Sequence, residues 1–158
     1  HSIWLVIAGT GNADLIAEAM YNKNGYARPM VGDITHTYRN PLTGRVFYAK
    51  WDNALATPIK LKYNAKMTGL QKTIGEETIE DIKDYIVNHS KFYINTNILA
   101  SDYSSVIQTA MDSNGVVGAV PLDILFSVDG ETWSSYINGN WDKIFTLNRD
   151  DISITVVV

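Results

Sequence analysis

The fold is decided by residues 73–126, which read TIGEETIEDIKDYIVNHSKFYINTNILASDYSSVIQTAMDSNGVVGAVPLDILF. The order predicted along this stretch is helix, short strand, helix, strand. The first helix begins between Thr73 and Glu77, and acids crowd its first turns, where the helix dipole favours negative charge. Its buried stripe consists of isoleucines at helical spacing, Ile79, Ile82 and Ile86. Residues 94–99 are expected to form a short extended piece.

A second helix and a strand complete this stretch. Either Ser101 or Asp102 is expected to cap the helix, and Asn114-Gly115 closes it. The apolar residues of the helix at i, i+3, i+4 and i+7 are Tyr103, Val106, Ile107 and Ala110. The strand then alternates, except at Leu125, and its apolar residues are Val120, Leu122, Ile124, Phe126 and Val128. Asp129-Gly130 predicts a hairpin turn after it.

The strand before this stretch shows the cleanest alternation in the chain. One face carries Ile59, Leu61, Tyr63 and Ala65, and the other carries Lys60, Lys62, Asn64 and Lys66. Such a strand belongs to a sheet that is covered on one side and wet on the other. The lysines also discourage pairing at a sheet edge. The last strand, residues 152–158, alternates in the same way.

The N-terminal part predicts a strand, a helix and a hairpin. Residues 2–8 are apolar on both faces, which suits a buried strand. After a turn, Thr10 or Asn12 is expected to cap a helix that ends near Asn24-Gly25. Its apolar stripe is predicted to be Leu15, Ile16, Ala19 and Met20. Residues 34–39 and 46–51 alternate around a turn over residues 40–44, which predicts a hairpin.

These elements predict an α+β fold in two small subdomains, residues 1–56 and 57–158. Each subdomain is expected to be a mainly antiparallel sheet with one or two helices packed on one face. The break between them is expected in the polar-to-small stretch from Asp52 to Ala56. Because the chain begins at His1 rather than Met and enters a strand almost at once, we take it to be a piece of a longer protein.

Composition excludes several classes of function. The 158 residues carry a net charge of −4 without a Lys/Arg run, whereas a sequence-independent grip on nucleic acid needs a basic stripe. No apolar run approaches the roughly 20 residues that span a bilayer. The chain has no cysteine, so it has no disulfide, thiol nucleophile or cysteine-based zinc site. Charged residues make up 19%, below the roughly 25% of an average domain, which favours a surface partly covered by neighbours.

One turn has the setting of a dinucleotide-binding fingerprint. Residues 9–14 follow a strand and open a helix, as the motif G-x-G-x-x-G does. The third glycine is replaced by Asp14, whose carboxylate would repel a pyrophosphate. The element after the helix is also expected to be a hairpin rather than a parallel strand. We therefore expect a plain strand-to-helix turn and no cofactor.

Polar clusters predict no metal site and no catalytic site. The acids of the first helix in the central stretch lie along one polar face, whereas metal carboxylates converge from several elements; these acids are Glu76, Glu77, Glu80, Asp81 and Asp84. The histidines lie in three different elements without metal-ligand spacing, at His1, His36 and His89. There is no G-x-S-x-G elbow and no recognisable Ser triad. We therefore expect the protein not to be an enzyme.

The aromatic residues leave three roles open. Trp51, Trp133, Trp141 and the tyrosines suit an ordinary core, a protein interface or a platform for a sugar. A carbohydrate-binding module that uses surface Trp and Tyr is therefore an alternative function. A nucleotide-dependent enzyme that uses Gly9 to Asp14 is a third.

Two stretches of the chain resemble the baseplate J family of contractile-tail phages. The first is Ser2-Ile-Trp-Leu-Val-Ile-Ala, a glycine-containing turn, and Leu15-Ile-Ala-Glu-Ala-Met-Tyr-Asn-Lys23 before Gly25. The second is the order strand 59–63, helix 76–88, link 94–101, helix to Met111 and Gly115-Val116, followed by the hairpin 126–133. The match covers nearly the whole chain and corresponds to the C-terminal part of a typical family member.

This resemblance implies a structural subunit of a phage or phage-derived tail baseplate, in the wedges around the hub. Its partners would be other wedge subunits and further copies of itself. Its location would be the virion tail, assembled in the cytoplasm of the bacterial host. The family implies no enzymatic residues and no cofactor. We expect exposed aromatic residues in loops to make the contacts, namely Trp133, Tyr136 and Trp141.

Overall fold

The computed structural model of the chain describes residues 2–24, 28–68 and 73–157. The fold is α+β, as predicted, with helices and several small mixed sheets. The chain divides into two compact units, His1–Leu55 (unit 1) and Ala56–Val158 (unit 2). The sequence places this boundary after Ala56, and the structure divides between Leu55 and Ala56.

Unit 1 contains a helix and a small mixed sheet. Its elements are β1 (Ile3–Trp4), β2 (Val6–Ile7), α1 (Ala13–Asn24), β3 (Met30–Val31), β4 (Ile34–Arg39) and β5 (Val46–Asn53). In the sheet β2-β5-β4, β2 runs parallel to β5 and β4 runs antiparallel to it. The predicted hairpin is confirmed as β4–β5. Its turn is held by Asn40, whose Oδ1 accepts hydrogen bonds from the N–H groups of Leu42 and Thr43 at 2.9 Å.

The N-terminal strand differs from the prediction. Instead of one buried strand over residues 2–8, the chain forms β1 and β2, which are interrupted at Leu5. β1 pairs with β3 and β2 pairs with β5, so the change of partner breaks the ladder and leaves Trp4 46% exposed. β3 is the next described strand after α1 and runs parallel to β1. The expectation that no parallel strand follows the helix was therefore wrong.

The inner face of helix α1 includes Ile16 and Met20 of the predicted stripe but not Leu15 and Ala19. Leu15 is 65% exposed and Ala19 is also exposed, whereas Ala17 and Met20 are buried. With the half-buried Ala13 and Ile16, the inner face follows the spacing i, i+3, i+4, i+7. Of the two predicted caps, Asn12 is the one observed, because its Oδ1 accepts the N–H of Asp14 at 2.8 Å.

Unit 2 contains two helices beside a three-stranded mixed sheet. The elements from Leu55 onward are β6 (Leu55–Pro58), β7 (Lys60–Met67), α2 (Glu76–His89), β8 (Ile98–Leu99), α3 (Ala100–Ser113), β9 (Ala119–Ser127), β10 (Tyr136–Ile137), β11 (Lys143–Thr146) and β12 (Ile152–Val157). In the sheet β12-β7-β9, β12 runs parallel to β7 and β9 runs antiparallel to it. Smaller pairs are β8–β10 and β6–β11.

The core of unit 2 forms where the helices cover one face of this sheet. The predicted face of β7 is confirmed, because Ile59, Leu61, Tyr63 and Ala65 are all 0% exposed. Ile82 and Ile86 of α2 belong to the same buried cluster, together with α3 residues such as Ile107. β7 is the middle strand of the sheet, so the expectation that its lysines guard a sheet edge is wrong. The lysines face the wet side instead.

A β-bulge changes the predicted faces of β9. Asn64 pairs with Asp123 and Ala65 with Pro121, so Leu122 has no partner in β7. The extra residue shifts the alternation by one position. Phe126 and Ile124 are buried as expected, but Leu122 is 58% exposed. Val120 and Val128 are exposed as well, at 47% and 51%, so the predicted apolar face is only half buried.

Three boundaries also need correction. The N-cap of α3 is Leu99, and Ser101 and Asp102 lie inside the first turn without a side-chain cap hydrogen bond. Within residues 94–99 only Ile98–Leu99 is a strand, and the expected break over residues 52–56 is extended apart from Ala54.

The predicted end of α3 at Asn114-Gly115 is confirmed. Asn114 is its C-cap and Gly115 has a φ of 71°. The turn at Asp129-Gly130 is wider than a tight hairpin, because the flanking strand residues that pair across it are Phe126 and Ser134.

Candidate functional site

The three aromatic residues predicted to make contacts lie between β9 and β11. Trp133 is half-buried, and the Nζ atom of Lys62 lies 4.1 Å from the centre of its ring. Tyr136 is in β10 rather than a loop, is 39% exposed, and donates a hydrogen bond from its hydroxyl to Asn138 Oδ1 at 2.6 Å. Trp141 lies in a turn and is 48% exposed. Tyr136 and Trp141 therefore present the most aromatic surface of the three.

The tryptophans considered for a sugar platform have different surroundings. Trp51 is 4% exposed and belongs to the core cluster of unit 1. Lys62 covers one face of Trp133, so that face is not open for stacking on a sugar ring. Of these residues, only Trp141 offers a broad exposed side chain.

A strip of exposed aliphatic residues runs along β9 and the residues just before it. This β9 strip consists of Val117, Val120 and Leu122, which are 71%, 47% and 58% exposed. The bulge directs Leu122 outward, and Val120 lies opposite Lys66 on the wet face of the sheet. The sequence does contain a signal for this arrangement. Pro121 interrupts the apolar alternation, and proline within a strand marks an edge or a bulge.

A groove lies beside the same strand. It has a volume of about 390 Å³ and is lined by residues of β9, the start of α3 and Ser135. At one end of the groove wall, Phe126 exchanges two backbone hydrogen bonds with Ser134, at 2.8 and 2.9 Å. Leu122 belongs both to the β9 strip and to the wall of this groove.

At the turn of residues 9–14, the side chain of Asn12 occupies two of the amides that could bind a phosphate. Asn12 Oδ1 accepts hydrogen bonds from the N–H groups of Asp14 and Leu15 at the start of α1, at 2.8 and 3.4 Å. The carboxylate of Asp14 lies at the same helix end, with Oδ1 2.8 Å from Nε2 of His36. Two amides at this helix end are thus used, and a negative charge lies beside them.

Two of the acids of α2, Glu80 and Asp84, form ion pairs. Glu80 lies 2.8 Å from Lys83 Nζ and 2.6 Å from Arg149 Nε, and Asp84 lies 3.2 Å from Arg149. Hydrogen bonds from Lys83 and Arg149 lower the pKa of Glu80. Across the described ranges, no three His, Cys, Asp or Glu side chains converge as they would around a metal ion.

The pocket beside the end of α2 uses its polar groups internally. It has a volume of about 240 Å³ and is lined by His89, Ser90 and Tyr103, among others. Ser90 Oγ donates a hydrogen bond to the carbonyl of Ile86 at 2.7 Å, and the hydroxyl of Tyr103 interacts with Ser90. Burial raises the pKa of Tyr103 to about 12, so its hydroxyl stays protonated near neutral pH.

The predicted scattering of the histidines is seen for the two that the structure describes. His89 stacks on Tyr85 with ring centres 3.8 Å apart, and His36 belongs to unit 1 beside Asp14. His1 lies outside the described residues.

The chain matches no model of a known protein family, and no curated protein shows significant sequence similarity to it. Among the described residues, no helix has the length and apolar character needed to cross a membrane.

Proposed function

We propose that this chain is a structural subunit of a phage or phage-derived contractile-tail baseplate, acting in the wedges through contacts with other proteins. Its partners are other wedge subunits and further copies of the chain, and its location is the tail baseplate of the virion, assembled in the host cytoplasm. The observation that carries the proposal is the β9 strip. Three large aliphatic side chains lie exposed within six positions of the chain, at Val117, Val120 and Leu122.

The three exposed apolar residues lie close together in the chain, which supports this kind of function. Single apolar residues on a surface are ordinary, whereas contiguous patches mark sites of interaction with proteins or other apolar surfaces. The β9 strip borders Lys66 and Asp123, so polar residues flank an apolar centre. That arrangement is typical of a protein interface.

The order of elements also supports the proposal. Unit 2 runs from the strand β7 through α2, the short β8, α3 and β9. This order agrees with the resemblance drawn from the sequence, which expects strand, helix, link, helix and then a closing hairpin. The agreement concerns the order of elements and adds to the argument from the surface.

Photo-cross-linking in assembled tail particles tests the proposal. A photoreactive residue is introduced at Leu122 in one variant and at Trp141 in another, and a matched control carries it at Thr43, an exposed residue of the β4–β5 turn. We expect the Leu122 and Trp141 variants to give defined cross-links to other tail proteins in excess of the control. Particles in which neither variant cross-links to another subunit would contradict the assignment.

The second candidate is a carbohydrate-binding module, and one observation favours it. Tyr136 and Trp141 are 39% and 48% exposed and lie five residues apart, so both lie on the surface of one segment. Tryptophan fluorescence titration against a glycan panel separates the two functions. A structural wedge gives no saturable change, whereas a sugar-binding site gives one that the substitution Trp141→Ala removes.

A further inference from the structure

The strand β12 forms one end of the sheet β12-β7-β9. Within the described ranges, no strand pairs with its outer side. Residues of a strand direct their N–H and C=O groups alternately to either side, so about half of those of β12 point away from β7. Such a row of unpaired backbone groups is a template for another strand.

The two edges of this sheet differ in how they are protected. β9 carries Pro121 and the bulge at Leu122, which are devices that discourage a further strand from pairing. β12 reads ISITVV and contains no charge, proline or glycine. Its residues are mostly β-branched, and Val157 is 45% exposed. The edge of β12 therefore lacks the charged residues, prolines and glycines that discourage an edge strand from pairing with another strand.

The strand is also complementary to itself. When two antiparallel strands pair, residues directly opposite each other lie on the same face of the sheet. With Ile154 opposite its own copy, Ser153 lies opposite Thr155 and Ile152 lies opposite Val156. Hydroxyl residues then meet on the wet face and aliphatic residues meet on the buried face, without like charges opposite each other.

We propose that a second copy of this chain pairs antiparallel with β12, so that two three-stranded sheets join into one. The pairing is isologous and forms about four to six backbone hydrogen bonds. It puts the helices of both copies on one side of the joined sheet. Arg149, just before β12, pairs with Glu80 and Asp84 of α2 and so reduces repulsion between the two acidic helices.

This inference deepens the proposed function by naming the surface through which two copies join, and it rests on that function for its biological setting. Sedimentation velocity of the chain over micromolar concentrations tests it, with the variants Thr155→Glu and Val120→Glu. Both substitutions introduce the same charge near lysines of β7, because Val120 lies opposite Lys66 and Thr155 lies opposite Asn64, between Lys62 and Lys66. The two variants therefore differ mainly in which sheet edge they alter.

We expect a dimer for the wild-type chain and for Val120→Glu. Thr155→Glu should weaken dimerisation by at least about tenfold, because it sets like charges close together across the pair. A wild-type chain that stays monomeric overturns the inference. So does a Thr155→Glu variant that dimerises as tightly as Val120→Glu.

Cross-linking gives a second measurement that does not depend on weakening the dimer. Because the chain has no cysteine, the variant Thr155→Cys presents a single thiol to a short bismaleimide. We expect it to link two copies, whereas Val120→Cys should not, and the reverse pattern overturns the inference. A negative result here leaves the baseplate assignment standing, because that assignment is tested in assembled particles.

Discussion

At the residue scale, Asp129 shows how one carboxylate organises a loop. Its Oδ1 accepts hydrogen bonds at 2.8 Å from the N–H groups of Thr132 and Glu131, and at 2.9 Å from Ser127 Oγ. These hydrogen bonds, that from Thr132 first, hold the pKa of Asp129 well below its usual range. The sequence predicts a turn here, and the structure shows that the carboxylate of Asp129 fixes the wider loop.

The substitution Asp129→Asn should lower the melting temperature by an amount that depends on pH. The unfolded-state pKa is about 3.9 and the folded value is lower, so the carboxylate stabilises the fold above about pH 4. That contribution is lost as the pH falls through the folded pKa. We expect Asp129→Asn to melt at a lower temperature near pH 7, with a gap that narrows below about pH 4. Thermal unfolding followed by circular dichroism measures this.

The control for that experiment is Asp81→Asn, which changes an exposed aspartate of α2. It should follow the wild-type protein across the same pH range. A gap between wild type and Asp129→Asn that stays constant from neutral to acidic pH would show that the charge of Asp129 does not act as described.

Substitutions of two buried tyrosines by phenylalanine are expected to have opposite effects on stability. Tyr63 is 0% exposed, and no described residue accepts or donates a hydrogen bond at its hydroxyl. Tyr103 is 8% exposed, and its hydroxyl interacts with Ser90. Denaturant unfolding should therefore show Tyr63→Phe as neutral or stabilising by up to about 1 kcal/mol, and Tyr103→Phe as destabilising by about 1 kcal/mol. A clear loss of stability in Tyr63→Phe would show that its hydroxyl has a partner.

At the level of single elements, the bulge in β9 explains why its buried side chains differ from those that the sequence pattern predicts. Alternation continued through residues 120–128 predicts that Leu122 and Ile124 share a buried face. The unpaired Leu122 breaks that continuity, and the sheet buries Ile124 while leaving Leu122 58% exposed. A one-residue shift in register moves every side chain beyond it to the opposite face of the sheet.

The bulge can be tested by two alanine substitutions of similar chemistry. Ile124→Ala removes a side chain that is 9% exposed and should cost about 2–5 kcal/mol of stability. Leu122→Ala removes an exposed side chain and should change the stability by less than about 0.5 kcal/mol. Equilibrium unfolding in urea measures both. Equal costs at the two positions would restore the uninterrupted alternation and contradict the bulge.

At the scale of the whole molecule, the sequence predicts most of unit 2 and less of unit 1. Strand β7 and helix α2 have strong periods, and the predicted faces are buried in β7 and at Ile82 and Ile86 of α2, whereas Ile79 is half-buried. Residues 2–8 are apolar at nearly every position, so they carry no period that shows where one ladder ends. Their split into β1 and β2 depends on β3 and β5, which are distant in the sequence.

The candidate site is less predictable from sequence than the fold, because it too depends on contacts between residues that are distant in the sequence. That Lys62 lies over Trp133 follows from the course of the loop after β9, which the local pattern does not contain. The β9 strip also depends on the bulge, whose only local signal is Pro121. The exposed surface depends on tertiary contacts, whereas the periodicity of apolar residues predicts mainly which side chains are buried.

We propose that the chain is a building block of a contractile tail. The most direct measurement is quantitative mass spectrometry of purified tail particles, compared with the material that does not sediment with them. We predict that the chain is present in the particles at a fixed ratio to the sheath and tube proteins. A chain recovered only outside the particles, or at a ratio that varies between preparations, would contradict the account.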